Sequence, residues 1–500
     1  MKFSGRYSVF AFLAGAAAVV GFAPFGLFLV PVISIATLFV LWLRADSAWA
    51  AFKFGWSFGL GLFVAGVSWL YVALHDYGGM VAPLAAGAIL LFAAFLALLP
   101  GLVGYVQARC TAHAWVRLTL AMPACWVALE LVRGYLLTGF PWLSLGYSQT
   151  PPSPLAGYAP LVGLYGVSLL VVVSAGLLAW AWTEKRKAAL GVLAVLWLAG
   201  AALRLVEWTQ PQGAPLKVAL VQGNIPQERK FEEGFRLGTL DLYRDLIAQS
   251  GDARLVVLPE SALPLLREQL PPDYVAAITT PLQARRGDVL LGLFEREGER
   301  YFNSVLSLGA SPEQHYRKNH LVPFGEFIPL RPLLGALIND VLQIPMSDLA
   351  RGGTTQAPLE VAGQKVAVNI CYEDVFGEEI VRPLATATLL VNVTNDAWYG
   401  HSHAAAQHNQ ISQMRALESG RMMLRATNTG ITSIIGRDGK VQAALPQFQE
   451  AVLIGMAQGY TGLTPYARWG NLLVLGLLVF MLGGARLLRK SFPLPQAEED

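Results

Sequence analysis

Charge is scarce in this chain. Asp, Glu, Lys and Arg make up only 14% of its 500 residues, against about 25% in ordinary globular proteins. The net charge is +3, and no basic block is present, which excludes the electrostatic footprint of a nucleic-acid binder. Cysteine is equally rare. Three residues, Cys110, Cys125 and Cys371, without a spaced pattern exclude a disulfide framework and a structural zinc site. Internal repeats and long low-complexity tracts are also missing. What fills the chain is apolar: 54% of residues are hydrophobic and the mean hydropathy is +0.46.

The apolarity is segregated. Tyr7 to Leu43 carries no charge. As one helix this run would be about 55 Å long at ~1.5 Å per residue, far beyond a ~30 Å bilayer core. The turn-forming GFAPFG, Gly21 to Gly26, divides it into spans over 8–22 and 27–43. The first is read as retained, not as a cleaved leader, because no small-residue cleavage site stands out and a second span follows at once. Further runs cover Gly55–Leu74, Val81–Ala108, Leu161–Trp182, Ala188–Leu203 and Trp469–Ala485. Leu118–Phe140 is apolar except for Glu130 and Arg133. These lie three apart on one helical face, where they can pair and reduce the cost of burial. One such pair is thin support for a transport path. The expectation is eight transmembrane helices.

Basic residues fall in alternate loops: Lys2 and Arg6, Arg44 and Lys53, Arg109 and Arg117, Lys185 to Lys187, and Arg486 to Lys490. The intervening GFAPFG, HDYGGM and Pro141–Pro160 have none. The positive-inside rule then puts both termini in the cytoplasm and the segment between spans seven and eight outside. The expected layout is helices one to seven in 1–209, an external domain in 210–465, the last helix in 466–490 and a cytoplasmic tail in 491–500. In a Gram-negative bacterium that domain is periplasmic.

The external segment alternates strands and helices. LKVALVQGN (216–224), ARLVVLPES (253–261), DVLLGLFE (288–295), YFNSVLSLG (301–309), KVAVNICYE (365–373), TLLVNVTND (388–396) and AVLIGM (451–456) are Val-, Leu- and Ile-rich and bounded by turn formers. GITSIIGRDGKV (430–441) reads as a hairpin turning at Asp438-Gly439. Glu232–Gln249 and His403–Arg425 have helical patterning. This pattern predicts one α/β domain.

Three strand ends present ionisable groups: Glu260 in VVLPES, Lys318 in the loop HYRKNHLVPFGEFIP, which also contains Glu326, and Cys371 in NICYED. Strand ends open into the crevice where α/β folds place ligands. A thiol with pKa near ~8.5 needs activation, which an ammonium supplies by favouring the thiolate. A carboxylate can take the thiol proton and return it to a leaving group. The ammonium and the Tyr372 N–H can hold a developing oxyanion. On its own a buried cysteine is more often a small hydrophobe, and Glu260 and Lys318 equally suit a surface ion pair. Spacing alone leaves both readings open. His401, His403 and His408 in HSHAAAQH match no i, i+4 pair of metal ligands and are read as lining a polar cleft.

The three stretches resemble the nitrilase, or carbon–nitrogen hydrolase, superfamily, in which Glu, Lys and Cys follow in that order on an αββα sandwich. A domain of this kind between the seventh and eighth of eight spans resembles the apolipoprotein N-acyltransferases. GFAPFG, GFPWLSLGYSQ (139–149), VQGNIPQ (221–227), PESA (259–262), VPFGEFIP (322–329), ICYED (370–374) and VNVTNDAWYG (391–400) carry the resemblance almost end to end. It implies Glu260 as general base, Lys318 as oxyanion stabiliser and Cys371 as nucleophile, with Glu326, Tyr372 and Glu373 in support. Phe231 stands where the family often has Trp, and GEF replaces its frequent GEY.

The implied reaction is ping-pong acyl transfer, without metal or cofactor, in the bacterial inner membrane. The donor is a phospholipid, with phosphatidylethanolamine expected. The acceptor is the α-amino group of a diacylglyceryl-cysteine on a lipoprotein. A monomer is expected, with no nucleic-acid partner. PLRPLLGALI (329–338) is expected to dip into the lipid interface as a lid. The alternatives are a membrane-tethered amidase that releases the acyl group to water, and a transporter or scaffold with an inactive nitrilase-like domain.

Overall fold

The computed structural model describes residues 2–110, 112–328 and 348–491, so the expected lid lies outside the described residues. The chain divides into two compact units. One takes in Met1–Trp69, Pro83–Val206 and Trp469–Asp500; the other takes in Leu70–Ala82 and Glu207–Arg468.

The first unit is helical. Ala48–Gly66, Ala82–Ala108, Ala114–Thr138 and Pro154–Thr183 are long and apolar enough to cross a membrane. Gly5–Gly21, Leu29–Leu43, Lys187–Leu203 and Leu472–Leu488 are shorter apolar helices. Large side chains such as Leu91, Val195, Leu198, Val479 and Phe480 point outward and are exposed. Apolar surface of this extent on helices suits a hydrocarbon solvent.

Glu130 and Arg133 are both buried, and both reach loop 139–149. Glu130 Oε1 accepts from Trp126 Nε1 at 3.2 Å and from the Leu145 N–H at 3.0 Å. Arg133 donates to the carbonyls of Phe140 and Trp142 and to Ser144 Oγ. The motif GFPWLSLGYSQ is therefore a buried loop whose backbone groups find their partners on a helix.

The third expected span, 55–74, is displaced. Its helix runs Ala48–Gly66, and Leu70–Ala82 groups with the second unit. Within that unit the Tyr77 ring meets Trp398 edge-on at 6.0 Å. The apolar residues at 70–74 continue the hydrophobic run, which explains why composition assigns them to the helix.

The second unit contains two six-stranded sheets. Its strands are β1 (Gln210–Gln222), β2 (Leu255–Val257), β3 (Asp288–Glu297), β4 (Arg300–Gly309), β5 (Gln314–Arg317), β6 (Leu359–Val361), β7 (Gln364–Ile370), β8 (Leu389–Thr394), β9 (Met423–Thr427), β10 (Ser433–Ile435), β11 (Val441–Ala444) and β12 (Ala451–Thr461). The orders are β12-β1-β2-β3-β4-β5 and β11-β10-β9-β8-β7-β6. β1, β2 and β3 are parallel, as are β7, β8 and β9. β4 runs against β3 and β5 against β4, so β5 ends at the same edge as β1 to β3.

Alternation explains the layers. Val218 and Leu220 of β1 join Val366, Val368 and Ile370 of β7 in a core between the sheets. Ala219 and Val221, one residue out of phase, pack with Leu240, Tyr243, Ile278 and Leu282 from helices Arg236–Ala248 and Pro272–Ala284. Ala367 and Leu390 face Ala416 on the opposite side. The result is an αββα sandwich in which both faces of each sheet are buried, so its strands read as continuous apolar runs. Each fully buried Val, Leu or Ile contributes about 1.5–3 kcal/mol. A half-exposed ion pair such as Arg267–Glu313 contributes at most ~1 kcal/mol, so the core carries the stability.

The helix expected over 403–425 is shorter. It covers Ala404–Ser419, and Gly420, with φ +65°, ends it in the left-handed conformation. The chain then enters β9, parallel to β8. Met422 to Arg425 have good helix propensity, and tertiary pairing overrides it.

Candidate active site

Glu260 follows β2, Lys318 follows β5 and Cys371 follows β7, so each leaves its sheet at a C-terminal strand end. The loop carrying Glu260 lies against Gly292 on β3. A Cβ there would sit 2.1 Å from the Pro259 carbonyl and 2.6 Å from the Ser261 nitrogen, so only glycine allows this approach. Cys371 has φ +53°, a left-handed conformation that costs a non-glycine residue roughly 1–2 kcal/mol. The elbow persists because its neighbours hold it. Glu373 Oε2 accepts from the Ile370 N–H at 2.7 Å. The Cys371 carbonyl accepts from Asn392 Nδ2 at 3.2 Å and from His408 Nε2 at 3.3 Å.

The carboxylate and ammonium meet. Lys318 Nζ donates to Glu260 Oε1 at 3.1 Å and to Glu326 Oε1 at 2.8 Å. Asn303 Nδ2 on β4 bridges the same two oxygens, at 2.8 and 3.3 Å. Glu260 Oε2 accepts from the Asn395 N–H at 3.0 Å, and Glu326 Oε2 from the Val322 N–H at 2.8 Å. Burial pushes the Glu260 carboxyl up, but Lys318 and Lys230, with the hydrogen bonds from Lys318 and Asn303, hold it below the usual range. Burial pulls Lys318 down, and its two carboxylates outweigh that, so it stays protonated far above neutral pH.

Both charges act on the Cys371 thiol. Burial raises it, Glu260 raises it further and Lys318 opposes them, for a net position well above the ordinary thiol. The resting group is a neutral thiol beside an ionised carboxylate, an arrangement for proton removal during attack.

Glu373 is a clamp. Its carboxylate accepts from the N–H groups of Asn319 (2.7 Å) and His320 (3.0 Å), and from Tyr316 Oη (2.9 Å), as well as from Ile370. It ties the residues after Lys318 to the cysteine elbow. Burial outweighs these hydrogen bonds and pushes its carboxyl up to about 7. Tyr372 is buried, edge-on to Phe376 at 5.3 Å and to His320 at 6.1 Å. Phe231 is half-buried in the turn at 227–231.

Under the elbow lies an ion network that sequence reasoning missed. His408 reaches Asp396 Oδ1 at 2.8 Å and Asp374 Oδ1 at 3.0 Å. Arg425 on β9 donates to Asp396 Oδ2 at 3.0 Å and to Asp374 Oδ2 at 3.3 Å. His408 therefore does have acidic partners and is buried, instead of lining a cleft with His401 and His403. Burial and Arg425 push it down, but the two aspartates outweigh them and raise it to about 9. Asp396 is pushed up by burial and pulled to about 2 by His408 and Arg425. Gln227, Asn395 and Asn428 form a separate chain of side-chain amides. Asn395 Nδ2 donates to Gln227 Oε1 (2.8 Å) and Asn428 Nδ2 to Asn395 Oδ1 (3.1 Å).

The two-sheet sandwich is the carbon–nitrogen hydrolase fold, and the model named Carbon-nitrogen hydrolase matches residues 217–466. The model named Apolipoprotein N-acyltransferase N-terminal domain matches residues 14–177. An apolipoprotein N-acyltransferase of Nitrosomonas europaea is 51% identical over 481 residues, covering 94% of this chain and 95% of that one. One from Methylococcus capsulatus is 45% identical over 469 residues, 92% of each chain. A solved CN-hydrolase superfamily protein from Xanthomonas campestris aligns over 49% of this chain and 91% of its own, at 21% identity and a TM-score of 0.37. The chain belongs to the apolipoprotein N-acyltransferase family: it is an acyltransferase of lipoprotein biosynthesis with a nitrilase-like domain and membrane-spanning helices.

Proposed function

We propose that Glu260, Lys318 and Cys371 carry a two-step acyl transfer from a phospholipid to the N-terminal amine of a diacylated lipoprotein. The observation that carries the reading is the meeting of Glu260 and Lys318 at 3.1 Å, with both charges acting on the neutral Cys371 thiol.

In the first step Glu260 takes the thiol proton as Sγ attacks the ester carbonyl. Lys318 Nζ and the Tyr372 N–H hold the oxyanion. Collapse breaks the ester C–O bond. Protonated Glu260 returns its proton to the departing alkoxide, leaving a thioester and a lysophospholipid. In the second step the neutral α-amine attacks the thioester and Glu260 takes the amine proton. Collapse breaks the C–S bond and returns that proton to sulfur, giving the amide and free Cys371. Glu326 keeps Lys318 in place, Glu373 and Tyr372 hold the elbow, and Phe231 belongs to the substrate end of the site. Phosphatidylethanolamine is the proposed donor.

The proposed setting has eight helices crossing the inner membrane, 1–209 holding seven and 466–490 the eighth, with both termini and the tail 491–500 cytoplasmic. The domain 210–465 is periplasmic, and the protein acts as a monomer. The grouping of Leu70–Ala82 with the second unit supports the same side for that loop and the domain, as the charge rule requires. Acyl chains explain the need for attachment at both ends. Each buried CH₂ is worth ~0.8 kcal/mol, so neither substrate leaves the bilayer for a distant soluble site.

The test is to incubate the full chain with acyl-labelled phosphatidylethanolamine and follow a hydroxylamine-sensitive adduct. The adduct forms in the wild type, is absent in Cys371→Ala, and disappears as amide when a diacylated lipopeptide is added. Release of free fatty acid alone identifies a hydrolase instead.

A further inference from the structure

Lys230 lies on the turn after β1, next to Phe231, and is only 2% exposed. Lysine is almost never buried this fully unless paired. Yet its one hydrogen bond among the described residues is from Nζ to the backbone carbonyl of Glu260, at 3.0 Å. No carboxylate lies within ion-pair distance of it there, whereas Lys318 has two. The charges around the candidate site show why a second cation is needed. Glu260 and Glu326 together place two negative charges against the single ammonium of Lys318, and a buried uncompensated charge is costly. Lys230 makes that set neutral.

We propose that Lys230 is a positioning residue that acts through Glu260: its ammonium, anchored on that residue's own carbonyl, keeps the carboxylate ionised and so sets the lower pH limit of thioester formation. The inference rests on the acyl-transfer reading above. Burial lowers Lys230 to about 8 and Glu260 and Cys371 pull it back up, so it still carries its charge at neutral pH. The groups facing Glu260 are Lys318 from the end of β5, Lys230 from the turn, Cys371 from the elbow and Tyr399 from the segment after β8. Glu326 lies beyond Lys318. Asp396 and Tyr399 act on Cys371 from the segment after β8. Of these, Lys230 is the cation not already divided between two carboxylates. Its effect on Glu260 is electrostatic, and removing it leaves the Lys318 and Asn303 hydrogen bonds in place.

The experiment measures single-turnover formation of the Cys371 adduct on labelled phosphatidylethanolamine from about pH 2.5 to 9, low enough to include the wild-type acid limb. It compares the wild type with Lys230→Arg, Lys230→Met and Lys230→Gln. The Gln variant retains a donor for the Glu260 carbonyl without the charge, and serves if Met fails to fold. Expected are superimposable acid limbs for wild type and Arg, and limbs moved up by about 1–2 pH units in Met and Gln, the range a neighbouring charge produces. A uniform loss of rate with the limb unmoved in Gln or Met overturns the role of Lys230, as does an equal shift in Arg. Absence of any adduct in the wild type overturns the acyl-enzyme reading itself.

Discussion

Two regions of the molecule bury an acid and a base, and they use them differently. In the helical unit, Glu130 and Arg133 hold one loop, through the Leu145 N–H, the Phe140 and Trp142 carbonyls and Ser144, and Glu130 also accepts from Trp126 of its own helix. In the α/β unit, Glu260 and Glu326 share Lys318 and Asn303 as donors, and Glu260 and Lys318 act on a thiol. Buried charge is therefore no sign of chemistry by itself. What marks the second region is a reactive group beside charges already held in place by other residues, including Asn303, the Asn395 N–H and the Glu373 clamp. Preorganisation of this kind avoids reorganisation at the moment of reaction.

The largest effect that sharpens the contrast is Glu260→Gln. Loss of a general base lowers rates by about 10³-fold, or ~4 kcal/mol in the barrier. Single-turnover adduct formation should fall by that amount while the folded protein persists, because Lys318 retains Glu326. If the rate survives, the two regions are alike and both structural. Arg133→Met is the mirror experiment. It strands the buried carbonyls of Phe140 and Trp142, so thermal unfolding in detergent should register a loss of about 3 kcal/mol. The adduct rate of the folded fraction should stay within a few-fold, and a 10³-fold loss would break the contrast from the other side.

The smallest effect concerns the ion network under the elbow. His408 is raised to about 9 from an unfolded value near ~6.5. Its contribution to stability is complete below the unfolded value and is lost as pH rises through about 9. Between pH ~6.5 and ~8 the wild type should lose about 2 kcal/mol through this group, at 1.36 kcal/mol per pH unit. His408→Asn should flatten that slope. An unchanged slope would show that the network's charge does not matter to the fold.

Much of the architecture was legible in the residues. The long strands appear as Val- and Leu-rich runs because both sheet faces are buried, and Asp438-Gly439 marks its hairpin because a tight turn favours glycine, here with φ +75°. The elements that escaped were short or polar. β5 is Gln-His-Tyr-Arg, β6 has three residues, and β9 follows a helix with no local change in propensity. Glu260 and Cys371 could be picked out because each closes an apolar strand, whereas Lys318 follows the polar β5 and stood out only through its loop and the family resemblance. Asn303, Asp374, Arg425 and Lys230 carry no such mark, and Asp396, which does close an apolar stretch, was passed over. Lys230 sits in ERKFEE, which reads as a solvated turn.

The sequence by itself determined the separation into apolar helices and an α/β domain, and the ends of the strands where ionisable groups emerge. These follow from local periodicity and from transfer out of water, which act on each segment wherever it lies. Tertiary structure alone decided which charges meet, that the thiol rests protonated, and that a lysine on an ordinary-looking turn is buried against the backbone of Glu260. Coulomb interactions and hydrogen bonds depend on distances of a few ångström between residues far apart in the chain, and no local pattern encodes them.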